Sequence, residues 1–426
     1  MTIAVPGVPA SRKTPGVAFN VILGGVGTSA GDAPVSIMLL GNKTAAVSVA
    51  SPTYAQAAGT ATVETVYTIA SSDDAATLFG LGSELHIMAL AAFAQQPNAA
   101  LFGCAVTDPA GTAASAVLTF ATSANAAGTV RLSLCGNIID VPVVNGDSAT
   151  TIAAAVCTYV NAVTSLPYYA QNSVGAVTFT AKNTGPRGNV LVVDAYFIAS
   201  GAVVPTRITT SPTASGFATT GVWSGTGTLG SEITLSLGAT QDTFANALLA
   251  IDARQYDRVA CSCIDSTNAV RVKNALVAQA APTIQILEQG VVPSVDTYEN
   301  GIIFAATMNS SRMQTAWHYA SALPPCAVAA QTAAGRVAGD GAIGGDLVGE
   351  ADDPAANLNG VQLATITVQR SVSDQPTATE IENALNNGLT PLAPSSTRPG
   401  FVEIVKSITT RASVGNVPNY AVLGTQ

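Results

Sequence analysis

The sequence predicts an α/β (α+β) chain with a discontinuous core, an inserted smaller β-rich outer domain and extended N- and C-terminal arms. Three observations predict it. Strand and helix signals alternate between about residues 17 and 107. After Asp108-Pro109 the composition shifts to Ala, Thr, Gly and Val in short alternating strands. After Ser231 longer helices again alternate with buried strands. A domain inserted at an exposed loop leaves the host core able to close. The expected division is therefore an arm at 1–16, a core in two pieces at 17–107 and 231–410, a peripheral domain at 108–230, and a second arm at 411–426.

Taken in order, residues 1–14 carry Pro6 and Pro9, small side chains and no helical period, which is the pattern of an extended arm. If extended, it places Val5 and Val8 on opposite faces, and its prolines donate no backbone hydrogen bond, so any pairing is short and at a sheet edge. A strand at 19–23 precedes a glycine-rich turn and a second strand at 35–40. Asp73 or Asp74 is the expected cap of one helix reaching about Gln96, where Pro97 stops it, and 101–106 returns as a strand.

In the middle segment, 129–134 and 138–143 flank Cys135-Gly136-Asn137, a hairpin turn in which Gly and Asn tolerate positive φ. Asp147 or Ser148 caps a helix to about Asn161, strands follow near 177–181 and 190–195, and the Thr/Ser/Gly stretch 211–230 reads as a linker. Beyond it come a helix at 241–254, a strand at 258–264, a helix at 266–280 capped by Ser266, and a strand at 284–287. A short helix at 377–385, a strand at 400–408 and extended chain from Asn416-Val417-Pro418 complete the reading.

Composition narrows the function. Apolar residues make up 48% and charged residues 10%, well below the ~25% charged of ordinary soluble domains. A surface this short of charge is expected to be covered by other chains. Apolar runs such as 87–93 end at Gln95-Gln96-Pro97-Asn98, far short of a membrane span. Arg12 and Lys13 ahead of the apolar run 17–26 imitate a secretory signal, but Pro6, Pro9, Pro15 and Asn20 argue for mature sequence. A net charge of −9 with 17 scattered basic residues offers no stripe for nucleic acid. The six cysteines contain no C-x-x-C pair and fit a reducing cytoplasm.

Candidate chemistry is thin. The turn Gly24-Gly25-Val26-Gly27-Thr28-Ser29 lacks the Gly-Lys-Ser/Thr ending of a phosphate loop and the spacing of a dinucleotide turn. His86 and His318 are far apart, each in a helix-like segment, and read as satisfied packing residues. Asp340, Asp346, Glu350, Asp352 and Asp353 do not follow calcium-loop spacing and read as a solvated loop. Cys261 and Cys263 share one face of a strand and read as core. No nucleophile and base pair can be assembled, so neither enzyme, cofactor nor metal is expected.

Several blocks, in order, resemble the contractile phage tail sheath proteins of the Mu-like type. They are Val5-Pro6-Gly7-Val8, Ile37-Met38-Leu39-Leu40-Gly41, Ala75-Ala76-Thr77-Leu78-Phe79-Gly80-Leu81-Gly82-Ser83, and the inserted Ala127-Gly128-Thr129-Val130 through Val141-Pro142-Val143. Gly146-Asp147-Ser148-Ala149-Thr150-Thr151-Ile152-Ala153, Thr180-Ala181-Lys182-Asn183 through Gly188-Asn189, Gln255-Tyr256-Asp257-Arg258-Val259 and Ser407-Ile408-Thr409-Thr410-Arg411 continue the series. Each block alone is a weak pattern; their order along nearly the whole chain is the signal. The segment 334–353 is richer in Gly and Asp than such proteins, and the C-terminal arm is expected to be short or incomplete here.

The resemblance implies a structural, non-enzymatic subunit that polymerises with itself into a helical tube around an inner tail tube and contracts to drive that tube through the host envelope for genome ejection. It implies the tail tube, baseplate and tail terminator proteins as partners, no nucleic acid or membrane, and a place in the virion tail after assembly in the host cytoplasm. It also implies arm joints, with Val5, Pro6, Val8 and Pro9 pairing beside a neighbour's strand at Ile404, Val405 and Ile408. The alternative is a β-rich surface or adhesin-like virion protein.

Overall fold

The computed structural model describes residues 36–411 apart from 51, 121–122, 125–126, 200–231, 237, 239–242, 253, 282, 285, 287, 343–359, 370–371 and 396–397. The arm residues Val5, Pro6, Val8 and Pro9, the strand at 19–23, the turn at 24–29, the linker at 211–230, four of the five clustered acidic residues (Asp346, Glu350, Asp352, Asp353) and the chain from Asn416 on lie outside the described residues.

The chain opens with β1 (Ser36–Asn42), the hairpin β2 (Val47–Ala50) and β3 (Thr53–Gln56), β4 (Val66–Ile69), α1 (Ser72–Phe79), α2 (Glu84–Gln95) and β5 (Ala100–Val106). The middle holds β6 (Ala113–Thr119), β7 (Gly128–Leu134), β8 (Asn137–Val143), α3 (Ala149–Ala162), β9 (Tyr168–Ser173), β10 (Ala176–Thr184), β11 (Val192–Ala199) and β12 (Glu232–Thr234). Then come α4 (Ala245–Ile251), β13 (Arg258–Cys261), α5 (Ser266–Gln279), β14 (Gln289–Ser294), α6 (Tyr298–Met308), β15 (Met313–Trp317) and α7 (Pro325–Ala342). Last are β16 (Val361–Thr367), α8 (Ala378–Asn386), β17 (Leu389–Pro394) and β18 (Phe401–Ile404).

Nine strands form one sheet in the order β16-β18-β17-β15-β14-β13-β1-β5-β4. Six of them, from β17 to β5, run parallel. Their chain order reverses between β1 and β13, which makes this a doubly wound sheet with its switch point there. The unbroken run Ile37-Met38-Leu39-Leu40 follows from burial on both faces: Ile37 and Leu39 pack with α1, α2 and α7, while Met38 and Leu40 pack with α4 and α5. The antiparallel end of the sheet folds back, so that Leu363, Ile366, Val402 and Ile404 join the same cluster as α2 and α7. Residues 326–335 of α7 are buried on every side, and its alanines allow the close approach.

A second hydrophobic core, built from residues 114–195 and Leu235, shares no member with the first. Two sheets, β6-β10-β9 and β12-β11-β7-β8, surround it with α3. Because β12 pairs with β11 and Ser236 bridges Ser115, the chain packed around this core runs past residue 230 to about 236.

Several expectations need correction. The helix expected from Asp73 or Asp74 to Gln96 is two helices. Ser71 caps α1, accepting from the Asp74 N–H at 3.1 Å while Asp74 accepts from Ala70 N–H at 2.9 Å, and Ser83 caps α2. Gly80 (φ 85°) and Gly82 (φ 71°) break the run, and a Cβ at Gly82 would stand 2.1 Å from the Leu166 carbonyl oxygen. In the hairpin turn the positive φ angles belong to Cys135 and Gly136, with Asn137 already in β8. Asp265, rather than Ser266, caps α5. Of the strand expected at 284–287, the described residues Ile284 and Ile286 lie in no strand, Ile284 being in a turn, and the strand that follows is β14.

Candidate functional site

Doubly wound sheets open a crevice beyond the carboxyl ends of the strands where the strand order reverses. Here that crevice is filled from within the chain. Asn42 ends β1, Ser262 follows β13, and Glu84 begins α2; into this corner the turn after β10 inserts Arg187. Arg187 Nε meets Glu84 Oε1 at 2.9 Å, and its NH2 donates to Asn42 Oδ1 at 2.6 Å. Glu84 Oε2 accepts from Asn42 N–H at 3.0 Å and from the Ser262 hydroxyl at 2.7 Å. The guanidinium also lies 5.4 Å from the centre of the Phe244 ring. The remaining cavity, lined by Gly82, Glu84, Arg187, Ser262, Pro324 and Cys326, is about 30 Å³, room for one water. A hydroxyl beside a carboxylate needs space for a substrate to act as nucleophile and base, and this corner has none.

More polar contacts surround that pair. Asn183 Nδ2 donates to Lys43 O at 2.7 Å and to both Asp108 oxygens at 3.1 Å, and Asn42 Nδ2 also donates to Asp108. Burial raises the Asp108 carboxyl above its ordinary range, against the pull of those amides and of Arg187. Lys182 Nζ donates to Leu81 O at 3.0 Å and Thr164 O at 2.8 Å, and burial brings its pKa down to about 7. His86 accepts from Gly82 N–H through Nδ1 at 3.0 Å; burial first, then the Lys182 charge, lowers it to about 4.

Elsewhere, His318 follows β15 rather than sitting in a helix, and the expectation of a satisfied histidine fails for it. Neither ring nitrogen has a partner, and burial holds it neutral with a pKa near 4. Cys261 and Cys263 are core residues as expected; the hydrogen bond from Cys261, then burial, holds the Cys263 thiol well above its usual range. Among the described residues no group of three or more His, Cys, Asp or Glu is placed to hold a metal ion. Among them, no helix is long and apolar enough to cross a membrane. A second cleft of about 400 Å³ opens beyond β14 and β15, but Asp296 at its rim is engaged with Thr297 N–H and the Asn300 amide.

The expected strand-acceptor residues are not at an edge. Ile404 pairs with Val361 on one side and Leu392 on the other, and Ile404 and Ile408 are fully buried, while Val405 N–H bonds Pro391 O. Lying between β16 and β17, β18 cannot accept a further strand, and this corrects the expected joint at Ile404, Val405 and Ile408. The outermost strands are β16 and β4. Where the pairing of β16 with β18 is interrupted, its backbone is engaged by two glutamines. Gln95 bonds Gln362 O and Ala364 N–H, and Gln331 accepts from Thr365 and Ile366 N–H.

No protein-family model matches the chain, and no curated protein matches it. Among solved structures it is similar to the sheath tail protein of Desulfitobacterium hafniense, with 11% identity, TM-score 0.41, and coverage of 95% of this chain and 78% of that one. It is also similar to the sheath tail protein of Listeria innocua, with 12% identity, TM-score 0.40, and coverage of 91% of this chain and 72% of that one.

Proposed function

We propose that the chain is a structural subunit of a contractile tail sheath of the Mu-like type. In this reading it polymerises into a helical tube around an inner tail tube, held between baseplate and tail terminator proteins in the virion tail after assembly in the host cytoplasm. The observation that carries the reading is where the resembling residues fall. Gly80, Gly82 and Ser83 make the break and cap between α1 and α2; Ser148 caps α3; Lys182 and Asn183 join the second core to the large sheet; Thr410 exchanges hydrogen bonds with Ser310. These are positions where local geometry leaves little choice of residue, so the ordered series is more than shared apolar composition.

The surface supports self-association. Leu249 on α4, Val277 on α5 and Ile303 on α6 are 73%, 48% and 64% exposed on three helices that cover the same face of the sheet. Residues 108–230 form the peripheral domain in this proposal, and 1–16 and 411–426 the arms. An arm that adds as a strand needs an open edge, and β4 is the proposed acceptor, since no side-chain amide engages its backbone among the described residues. Head-to-tail contacts of this kind need not close, and repetition gives an open helix. The test is negative-stain microscopy of the concentrated pure protein. Tubes or stacked rings are expected, and dispersed monomers across salt conditions would overturn the proposal.

A further inference from the structure

We infer that Arg187 is a latch: inserted at the switch point, it holds the second core on the large sheet, and its release frees that core to move as a body. The inference does not rest on the tail-sheath reading. Polar bonds across this boundary converge on one short stretch of the second core, residues 182–187, where Lys182, Asn183, Thr184 and Arg187 reach Leu81, Lys43, Pro109, Asp108, Asn42 and Glu84. The hydrophobic clusters on either side have no residue in common. Smaller apolar contacts, such as Tyr54 stacked on Tyr169 with ring centres 6.0 Å apart, lie beside this stretch. Two connections tie the bodies covalently, one at 107–112 and the other following Ser236.

The energetics make the contact cooperative. Glu84 and Arg187 are 15% and 7% exposed, and each is satisfied largely by the other and by Asn42 and Ser262. Removing one member of a buried, hydrogen-bonded pair leaves an uncompensated charge, whereas replacing both by neutral groups is tolerated. A boundary whose polar bonds depend on one another opens as a unit, and because each side is built on its own buried cluster, both remain folded when it does.

The experiment is amide hydrogen exchange on the full chain, in the wild type and in Arg187→Met and Glu84→Gln/Arg187→Met. The Arg187→Met variant should exchange amides beside the boundary, those of Asn42, Thr44 and Gly185, which bond Glu84 Oε2, Phe79 O and Thr112 O, on the order of a hundredfold faster. Amides inside β1 and β7 should be unchanged, and the double variant, free of the unpaired charge but still without the latch, should melt like the wild type while its boundary amides stay accelerated. Equal acceleration in β1, β7 and the boundary, or no acceleration anywhere, would overturn the latch. Should Arg187→Met fail to fold, a urea series on the wild type decides. Boundary amides are expected to open with a weaker urea dependence than the interiors of both cores, and a single shared opening reaction would refute the inference.

Discussion

Replacing Gln331 by leucine should destabilise the protein, although leucine is close to glutamine in size. Gln331 is fully buried. Its Oε1 accepts from Thr365 N–H at 3.1 Å and Ile366 N–H at 3.0 Å, and its Nε2 donates to Thr365 Oγ1 at 2.9 Å and Ala91 O at 3.3 Å. These two N–H groups lie where the ladder between β16 and β18 is interrupted. Leucine leaves the Ile366 N–H unpaired and buried, at about 1–3 kcal/mol, and removes the partner of the N–H of exposed Thr365, at about 0.5–1.5 kcal/mol. The added apolar burial returns about 1–2 kcal/mol, so midpoint costs of about 3 kcal/mol leave a net loss of about 1.5 kcal/mol. The assay is urea unfolding, where the midpoint should fall while the slope is unchanged. Gln369→Leu is the control: Gln369 is 1% exposed and neither amide atom has a partner, so leucine there should be neutral or stabilising. A Gln331→Leu variant as stable as the wild type, or equal changes in the two variants, would refute the reasoning.

Two further outcomes are expected. Burial, with Asp252 and Asp257 nearby, raises Glu288 to about 7 although it accepts from Tyr256 N–H; the folded state therefore binds a proton that the unfolded state has already lost, and this contribution to stability declines as pH rises from about 4.5 through about 7. His86 and His318 act oppositely at the lower end of that range, so the check is a difference: Glu288→Gln should gain stability relative to wild type as pH rises from 5 to 8 in paired melts, and a pH-independent difference would refute it. Deleting residues 1–14 should leave circular dichroism and melting temperature nearly unchanged while abolishing tube formation, because that stretch buries too little apolar area alone to offset its ordering. Truncated protein that still builds ordered tubes would remove the arm from the mechanism.

What was legible in the sequence is what local chemistry decides. Ile37-Met38-Leu39-Leu40 announces a strand covered on both faces, Ser148 announces α3, and Thr377 with Glu380 forms the capping box that starts α8. The fold-back of β16 to β18 and helix α7 were illegible for a physical reason. A helix buried all round has no polar stripe to give it a period, and half of residues 326–335 of α7 are alanine. Gly290 and Pro293 lie within β14, residues that usually demote a strand to an edge, yet β14 is central. The switch-point site was equally hidden. Arg187 sits in Gly185-Pro186-Arg187-Gly188, which reads as a turn, and its partner Glu84 is 103 positions earlier, the difference between the two residue numbers. The one local hint was a lone carboxylate opening an otherwise apolar helix.

The edges of the second core bear on where subunits can join. Asn161 of α3 accepts from Ala170 N–H and donates to Ala170 O, both at 2.8 Å, so the outward-facing backbone of β9 is occupied by a side-chain amide. Ser236 bridges Ser115 on the outer side of β6. Pro142 removes a donor from β8, and Arg131 paired with Asp140 places charge across β7 and β8. The remaining edge, β12, is three residues long. Each of these is a known way of keeping a sheet from extending into another chain. A body closed on every edge adds no strands, whatever its neighbours offer. In the proposed assembly, strand addition between copies therefore falls to the large sheet, where β4 is the edge left for it among the described residues.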